Sequence, residues 1–239
     1  MSVLTRATQI LNVLAETGCG LSVRELAEAT GLPKSTVHRV LQELAACQYV
    51  VSNGRVDGYR LGPGVLKLGL NSRRQFVAPM RRALIALARA VNENVDLAIL
   101  SGGEMLIIEQ ITATNAIPTM TVVGRTFALH ASSIGKALLS QIPPAQARQL
   151  LGDNLEAFTP NTITDIDAVL RELIEVRNTG IAFDREEHDL GICAVAIALP
   201  HPEGIPQAIT IVAPTQRFVR REAAYVAALR ALSGHTDPV

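Results

Sequence analysis

The sequence predicts an α+β chain of two domains, a winged helix-turn-helix followed by a mixed α/β domain. Three observations carry that expectation. Two short helical patterns joined at Gly31 lead into an Asn53-Gly54 hairpin signal. Beyond Pro79, apolar strand-like runs alternate with amphipathic helices. The charge divides near the same place: residues 1–75 hold nine Lys and Arg against five Asp and Glu, a net +4, and the rest carries −4 although the whole is neutral. A basic head on an acidic body suggests an anionic partner for the head alone.

The bulk composition bounds the rest. At 239 residues the chain is longer than one small domain needs. Hydrophobic residues make up 48% and aromatics only 3%, with no Trp, so the cores must be aliphatic. Cys19, Cys47 and Cys193 form no CxxC pair, which argues against a disulfide framework or zinc finger and suits a reducing compartment. Arg6 interrupts any signal-peptide reading, and no apolar run approaches the roughly 18 residues of a membrane span. A soluble cytoplasmic protein with no membrane partner is expected.

Each element follows from local signals. Ala7, Ile10, Leu11, Leu14 and Ala15 give residues 5–17 a helical stripe that Gly18 and Gly20 stop. Ser22 with Glu25 is a capping box for a helix at 23–30, and Gly31 ends it. Pro33 opens the next helix, 34–46. A strand at 49–51, the turn 52–55 and a strand near 56–61 form the wing, and 64–75 read as helix. The second part reads as helices at 80–93, 134–142, 144–151, 165–179 and 217–233. Its strands read at 95–101, 105–111, near 119–123, and at 181–184, 192–199 and 207–213.

The helix at 34–46 has two faces. Val37, Val40, Leu41 and Leu44 share one; Ser35, His38, Arg39 and Gln42 repeat the same spacing on the other. A polar, basic, short-chained face is what a recognition helix presents to the major groove of double-stranded DNA. Arg39 matches the two acceptors of guanine and Gln42 those of adenine. Lys34, Ser35 and Thr36 suit phosphates, and Arg55 at the wing tip suits the backbone or a minor groove. A solvated face on a protein-binding helical module is the plainer alternative, and the wing and the charge asymmetry weigh against it.

Residues 31–41, GLPKSTVHRVL, resemble the signature of the IclR family of bacterial transcription regulators. The entry SVLTRATQIL and the segments YRLG (59–62), HASSIGKALL (130–139) and FDREEHDLGICAVA (183–196) match the same family in order. The resemblance implies a winged helix-turn-helix over 1–63, a linker helix over 64–78 and a GAF-like effector-binding domain over 79–239. It also implies a homodimer or a dimer of dimers (a homotetramer), acting on an operator as repressor or activator. The chain begins almost directly on its first helix, so the N-terminal arm of other members is expected to be missing.

HASSIGKA (130–137) admits several readings. A phosphate loop lacks its upstream Gly, and residue 137 is Ala where Ser or Thr is needed. A hydrolase site lacks the G-x-S-x-G elbow. What remains is a loop entering a helix, with Ser132, Ser133 and the amides of 133–135 offered to a carboxylate. The resemblance implies the same: Ser133 and Ile134 line an organic-acid pocket, and Asp184 accepts a hydrogen bond from the ligand. Ala194 stands where some members have a cysteine, and Thr210 and Val212 where they have serines. His130 and Cys193 are counted with this site. The loss of polarity points to a larger or aromatic acid. The run Glu186, Glu187, His188, Asp189 could hold zinc or manganese, but a solvated turn is the preferred reading. No cofactor or metal is implied. An enzyme with an appended helix-turn-helix finds no nucleophile–base pair here, and an architectural DNA binder leaves the pocket motifs unexplained.

Overall fold

The computed structural model describes residues 1–52, 58–113, 122–199 and 204–233. The chain divides into two compact units, Met1–Gln75 and Phe76–Val239.

In the first unit α1 (Val3–Thr17) starts at Ser2, whose hydroxyl accepts from the Thr5 amide, and ends at Gly18 with φ 63°. The Ser22–Glu25 capping box opens α2 (Val23–Thr30), and Gly31, at φ 69°, reverses the chain. A residue with a Cβ is strained at that φ, so glycine is the natural pivot between α2 and α3 (Lys34–Ala46). β1 (Val50–Ser52) pairs antiparallel with β2 (Tyr59–Leu61), and Tyr59 also bridges to Leu21. Ile10, Leu14, Leu26, Val37, Val40, Leu41, Leu44 and Val50 form the buried core. The Asn53-Gly54 turn and Arg55 lie outside the described residues. α4 spans Pro63–Phe76.

The described residues of the second unit form a six-stranded antiparallel sheet with helices on both faces. They comprise α5 (Ala78–Val91), β3 (Asn94–Ser101), β4 (Glu104–Ile111), β5 (Thr126–Phe127) and α6 (Ser133–Ser140). There follow α7 (Pro144–Leu151), α8 (Ile166–Thr179), β6 (Ile181–Arg185), β7 (Ile192–Leu199), β8 (Gln207–Pro214) and α9 (Thr215–Ser233). The strand order is β5-β4-β3-β8-β7-β6. The third strand expected near 119–123 lies largely outside the described residues; the short strand described after β4 is β5, at Thr126–Phe127.

Strand alternation sorts side chains between two cores. On β7, Cys193, Val195, Ile197 and Leu199 join the core under α5 and α9. Ala196 faces the core under α6, α7 and α8, together with Ala98, Ala182 and Ala208. These small residues let α6 lie close on the sheet. On the other face, Arg217 of α9 donates twice, at 2.8 Å each, to the buried Glu93 carboxylate at the end of α5, and Tyr225 donates a third bond. No helix among the described residues is long and apolar enough to cross a membrane.

Candidate nucleic-acid interface and ligand cavity

On α3 the apolar positions Val37, Val40, Leu41 and Leu44 are buried. Lys34, Ser35, His38, Arg39 and Gln42 are exposed, and Thr36 is half-buried. The helix starts at Pro33, whose carbonyl accepts from the amides of Thr36 and Val37. Its first turn therefore points free amides and the positive end of the helix outward beside Lys34 and Ser35.

In the second unit a cavity of about 70 Å³ opens where α6 meets the sheet, room for several water-sized groups. Strand register explains its floor. Asp96 pairs with Thr210, and Thr210 with Ala196; two residues along, Val212 pairs with Ala194, and Ala194 with Asp184. Residues paired across strands share a face, so Asp96, Thr210, Val212, Ala194 and Asp184 all look the same way. Ser132, Ser133 and Ile134 at the head of α6 complete one wall. Met105, Ile107, Phe127 and Ile192 supply apolar surface, and His188 and Asp189 the remainder.

The structure thus brings together Ser132, Ser133, Ile134, Asp184, Ala194, Thr210 and Val212 of the expected site. It places His130 and Cys193 elsewhere. His130 donates from Nε2 to the Glu156 carbonyl at 2.9 Å, which turns its ring to the Phe158 side. Cys193 precedes Ala194 on β7, so it faces the opposite side of the sheet; its Sγ lies 3.4 Å from the Thr215 hydroxyl, and burial pushes its thiol pKa up. Asp96, Met105, Ile107, Phe127 and Ile192 had no place in the expected site. One signal was available: Asp96 is an acid inside the apolar strand NVDLAILS and is 1% exposed.

The hydrogen bonds in the cavity have fixed directions. Thr210 donates its only hydroxyl proton to the Val195 carbonyl at 3.1 Å. The 2.9 Å contact between Ser133 and Thr210 must then be Ser133 donating, which leaves Ser133 only lone pairs to offer. Ser132 is spent too, donating to the Ala128 carbonyl and accepting from the Gly135 amide. Asp96 accepts from Gln110 at 3.1 Å, and Asp184 from the Glu187 amide at 2.8 Å.

The acidic run at 186–189 neither floats in solvent nor groups with metal ligands: no cluster of three His, Cys, Asp or Glu suited to a metal occurs among the described residues. Glu187 clamps the fully buried Lys136 ammonium at 2.7 and 2.9 Å, and Glu172 holds it from α8 at 2.8 Å. The Thr159 and Thr162 hydroxyls bond the carbonyls of Glu186 and Glu187. His188 stacks on Phe158 at 4.9 Å, meets the edge of Phe127 at 5.3 Å, and has Asp189 at 3.0 Å from its Nδ1.

Burial pushes the Asp184 pKa up from 3.8 to about 7; the Glu187 amide opposes the rise, the Glu187 carboxylate adds to it, and Lys136 and His188 oppose it. A raised carboxyl pKa means the folded state holds the proton more tightly than the unfolded state. The stability from this group is complete below about 3.8 and is lost as pH rises through about 7. Asp184→Asn should flatten that decline, by on the order of a few kcal/mol between the two ends. Denaturant unfolding of both chains across this pH range checks it; parallel profiles would remove the buried-acid account.

The family model described as bacterial transcriptional regulator IclR C-terminal matches residues 70–237, and the IclR helix-turn-helix model matches residues 3–54. HTH-type transcriptional regulator Rv1719 of Mycobacterium tuberculosis is 37% identical over 237 residues, covering 99% of this chain and 92% of that protein. HTH-type transcriptional regulator TtgV of Pseudomonas putida is 31% identical, covering 91% of this chain and 83% of that protein. The crystal structure of a putative IclR regulator from Silicibacter sp. TM1040 superposes with a TM-score of 0.89 at 26% identity, over 97% of this chain and 93% of that one.

Proposed function

The chain belongs to the IclR family of bacterial transcriptional regulators, and from that premise we propose that α3 reads its operator while a small molecule in the second unit's cavity controls the binding. As a member of that family it is a DNA-binding transcription regulator. The observation that carries the reading of α3 is its division into a buried aliphatic face and an exposed face of Ser35, His38, Arg39 and Gln42. Arg39 reads a guanine and Gln42 an adenine; Lys34, Ser35 and Thr36 hold phosphates, with Arg55 adding a contact from the wing. A homodimer, or a pair of them, sets two α3 helices on two half-sites, and the effector changes how well their spacing fits.

Arg39→Ala should weaken operator binding by about 1–3 kcal/mol and relax discrimination at one base pair. Its effect on random DNA should be much smaller. A binding-site selection with the variant reads this directly; an unchanged operator preference would remove Arg39 from base reading.

The effector is a small aromatic molecule with its oxygen head group at the amides of Ser133 and Ile134 and its ring against Phe127 and His188. Seven residues of the expected pocket line one cavity, which supports this reading. So does a solved IclR homologue from Microbacterium hydrocarbonoxydans complexed with 4-hydroxybenzoate, with a TM-score of 0.79 at 25% identity over 97% of this chain and 96% of that one. The small organic acid implied by the sequence is one such molecule.

A further inference from the structure

We propose that the cavity of the second unit takes an aromatic 2-hydroxy acid, whose carboxylate meets the amides at the head of α6 and whose hydroxyl donates to the oxygen of Ser133. This rests on the reading of that cavity as the effector site.

Ser133 offers two opposite groups to one spot. Its amide and that of Ile134 are the first two of α6, so no carbonyl of their own helix reaches them. The next two amides are spent: Gly135 donates to the Ser132 hydroxyl and Lys136 to the Ser132 carbonyl. Among the described residues nothing accepts from the amides of Ser133 and Ile134. The side chain of Ser133 is the reverse case. Thr210 gives its proton to the Val195 carbonyl, so Ser133 gives its own to Thr210 at 2.9 Å. The Ser133 oxygen keeps its lone pairs, and no described residue donates to them. Ser133 is 1% exposed, which cuts it off from bulk water. A buried acceptor short of a donor costs free energy that a donating ligand recovers.

Two donors beside one acceptor define a head group. A carboxylate only accepts, which suits the amides. A hydroxyl on the neighbouring carbon supplies the missing proton. The same number of covalent bonds separates the two oxygens of a 2-hydroxy acid and the nitrogen and Oγ of one serine, so both pairs have the same reach. A 2-oxo acid sets a second acceptor against the Ser133 lone pairs, and a plain methylene leaves them unmet. A 2-ammonium group donates, but it brings a second charge out of water and places it at the positive end of α6. Phe127, Met105, Ile107 and the ring of His188 provide the surface for the aromatic part. The titratable side chains on the cavity are Asp96, Asp184, Asp189 and His188. They weigh alike on ligands that share one carboxylate and one net charge, so differences among such ligands report hydrogen bonding. Asp184 is the rival acceptor for the hydroxyl, and the variants separate the two.

The probes are mandelate (each enantiomer), phenylacetate, benzoylformate and 2-phenylglycine at millimolar concentration and one pH. Titration calorimetry and thermal unfolding of the full chain read their binding. One enantiomer of mandelate should bind at least about tenfold more tightly than the other three compounds. Ser133→Ala should bring mandelate and phenylacetate to within about threefold of each other. Thr210→Val removes the group that takes the Ser133 proton and leaves Ser133 able to donate. It should move the benzoylformate-to-mandelate ratio at least about tenfold toward the oxo acid, a reversal that loosened packing does not produce. This second variant decides the matter if circular dichroism shows Ser133→Ala to be misfolded. A native chain that binds mandelate no more tightly than phenylacetate, or that prefers 2-phenylglycine, overturns the inference and leaves the effector site standing. So do ratios untouched by both substitutions, or a mandelate preference lost in Asp184→Asn and kept in Ser133→Ala. A native chain that binds none of these compounds, nor 4-hydroxybenzoate, overturns the effector reading of the cavity and this inference with it.

Discussion

Lys136→Met is expected to destabilise the second unit by about 3–5 kcal/mol. Its ammonium is 0% exposed and lies within 2.9 Å of three carboxylate oxygens from Glu172 and Glu187. Removing it leaves the two acids facing one another with their compensating charge gone. Burial already pushes Glu187 above the usual carboxylate range, with Lys136 the chief influence holding it down. The loop that carries His188 and Asp189 to the cavity hangs on this clamp, so the variant should lose ligand binding as well as stability. Chemical denaturation followed by circular dichroism measures the loss. Adding Glu187→Gln to Lys136→Met should recover part of it, because an amide does not carry an unmatched charge. A loss under about 1 kcal/mol, or no recovery in the double variant, would show that Lys136 does not hold the loop.

Gly135→Ala is expected to lower stability by about 1–3 kcal/mol and to distort the head of α6. Alanine in a helix normally gains about 0.5–1 kcal/mol over glycine. Here sterics win. A Cβ at residue 135 would stand 2.5 Å from the Leu129 carbonyl oxygen, 2.7 Å from its Cα and 2.7 Å from the Ser132 Oγ that caps the helix. Two of those atoms are backbone and cannot step aside as a side-chain tip would. Gly69 in α4 is the matched control, since nothing lies within 4 Å of its added Cβ. Gly69→Ala should be neutral or mildly stabilising. Tm values of the two variants separate the contributions, and a Gly135→Ala chain as stable as the Gly69→Ala chain would contradict the close approach of α6 to Leu129.

The helix-turn-helix was legible because its signals are local. The Ser22–Glu25 box, Gly31 and the two faces of α3 each lie within a few residues of one another, and each is where the sequence placed it. The cavity was legible only in part. Ser133, Asp184, Thr210 and Val212 were reached through family resemblance, whereas Asp96, Met105, Ile107 and Phe127 were not reached at all. Their meeting depends on β3 lying between β4 and β8, and strand order is written in no local pattern. Cys193 could have been set aside from the sequence, since in a strand whose Ala194 faces a site its neighbour must face away. His130 could not, because its partner Glu156 is 26 residues along the chain. The role of Lys136 as a buried cation is not legible locally either, because its partners Glu172 and Glu187 lie 36 and 51 residues along the chain.

If α3 holds the operator and the cavity controls that hold, ligand and DNA binding are coupled within one chain. Operator affinity of the native chain and of Asp184→Ala, each measured with and without millimolar 4-hydroxybenzoate, tests that coupling most directly. The ligand should change native affinity at least about tenfold, a coupling of about 1.4 kcal/mol. Asp184→Ala should bind the same DNA as tightly as the native chain and respond little to the ligand. An equal ligand response in both chains, or DNA binding lost with Asp184, would contradict it.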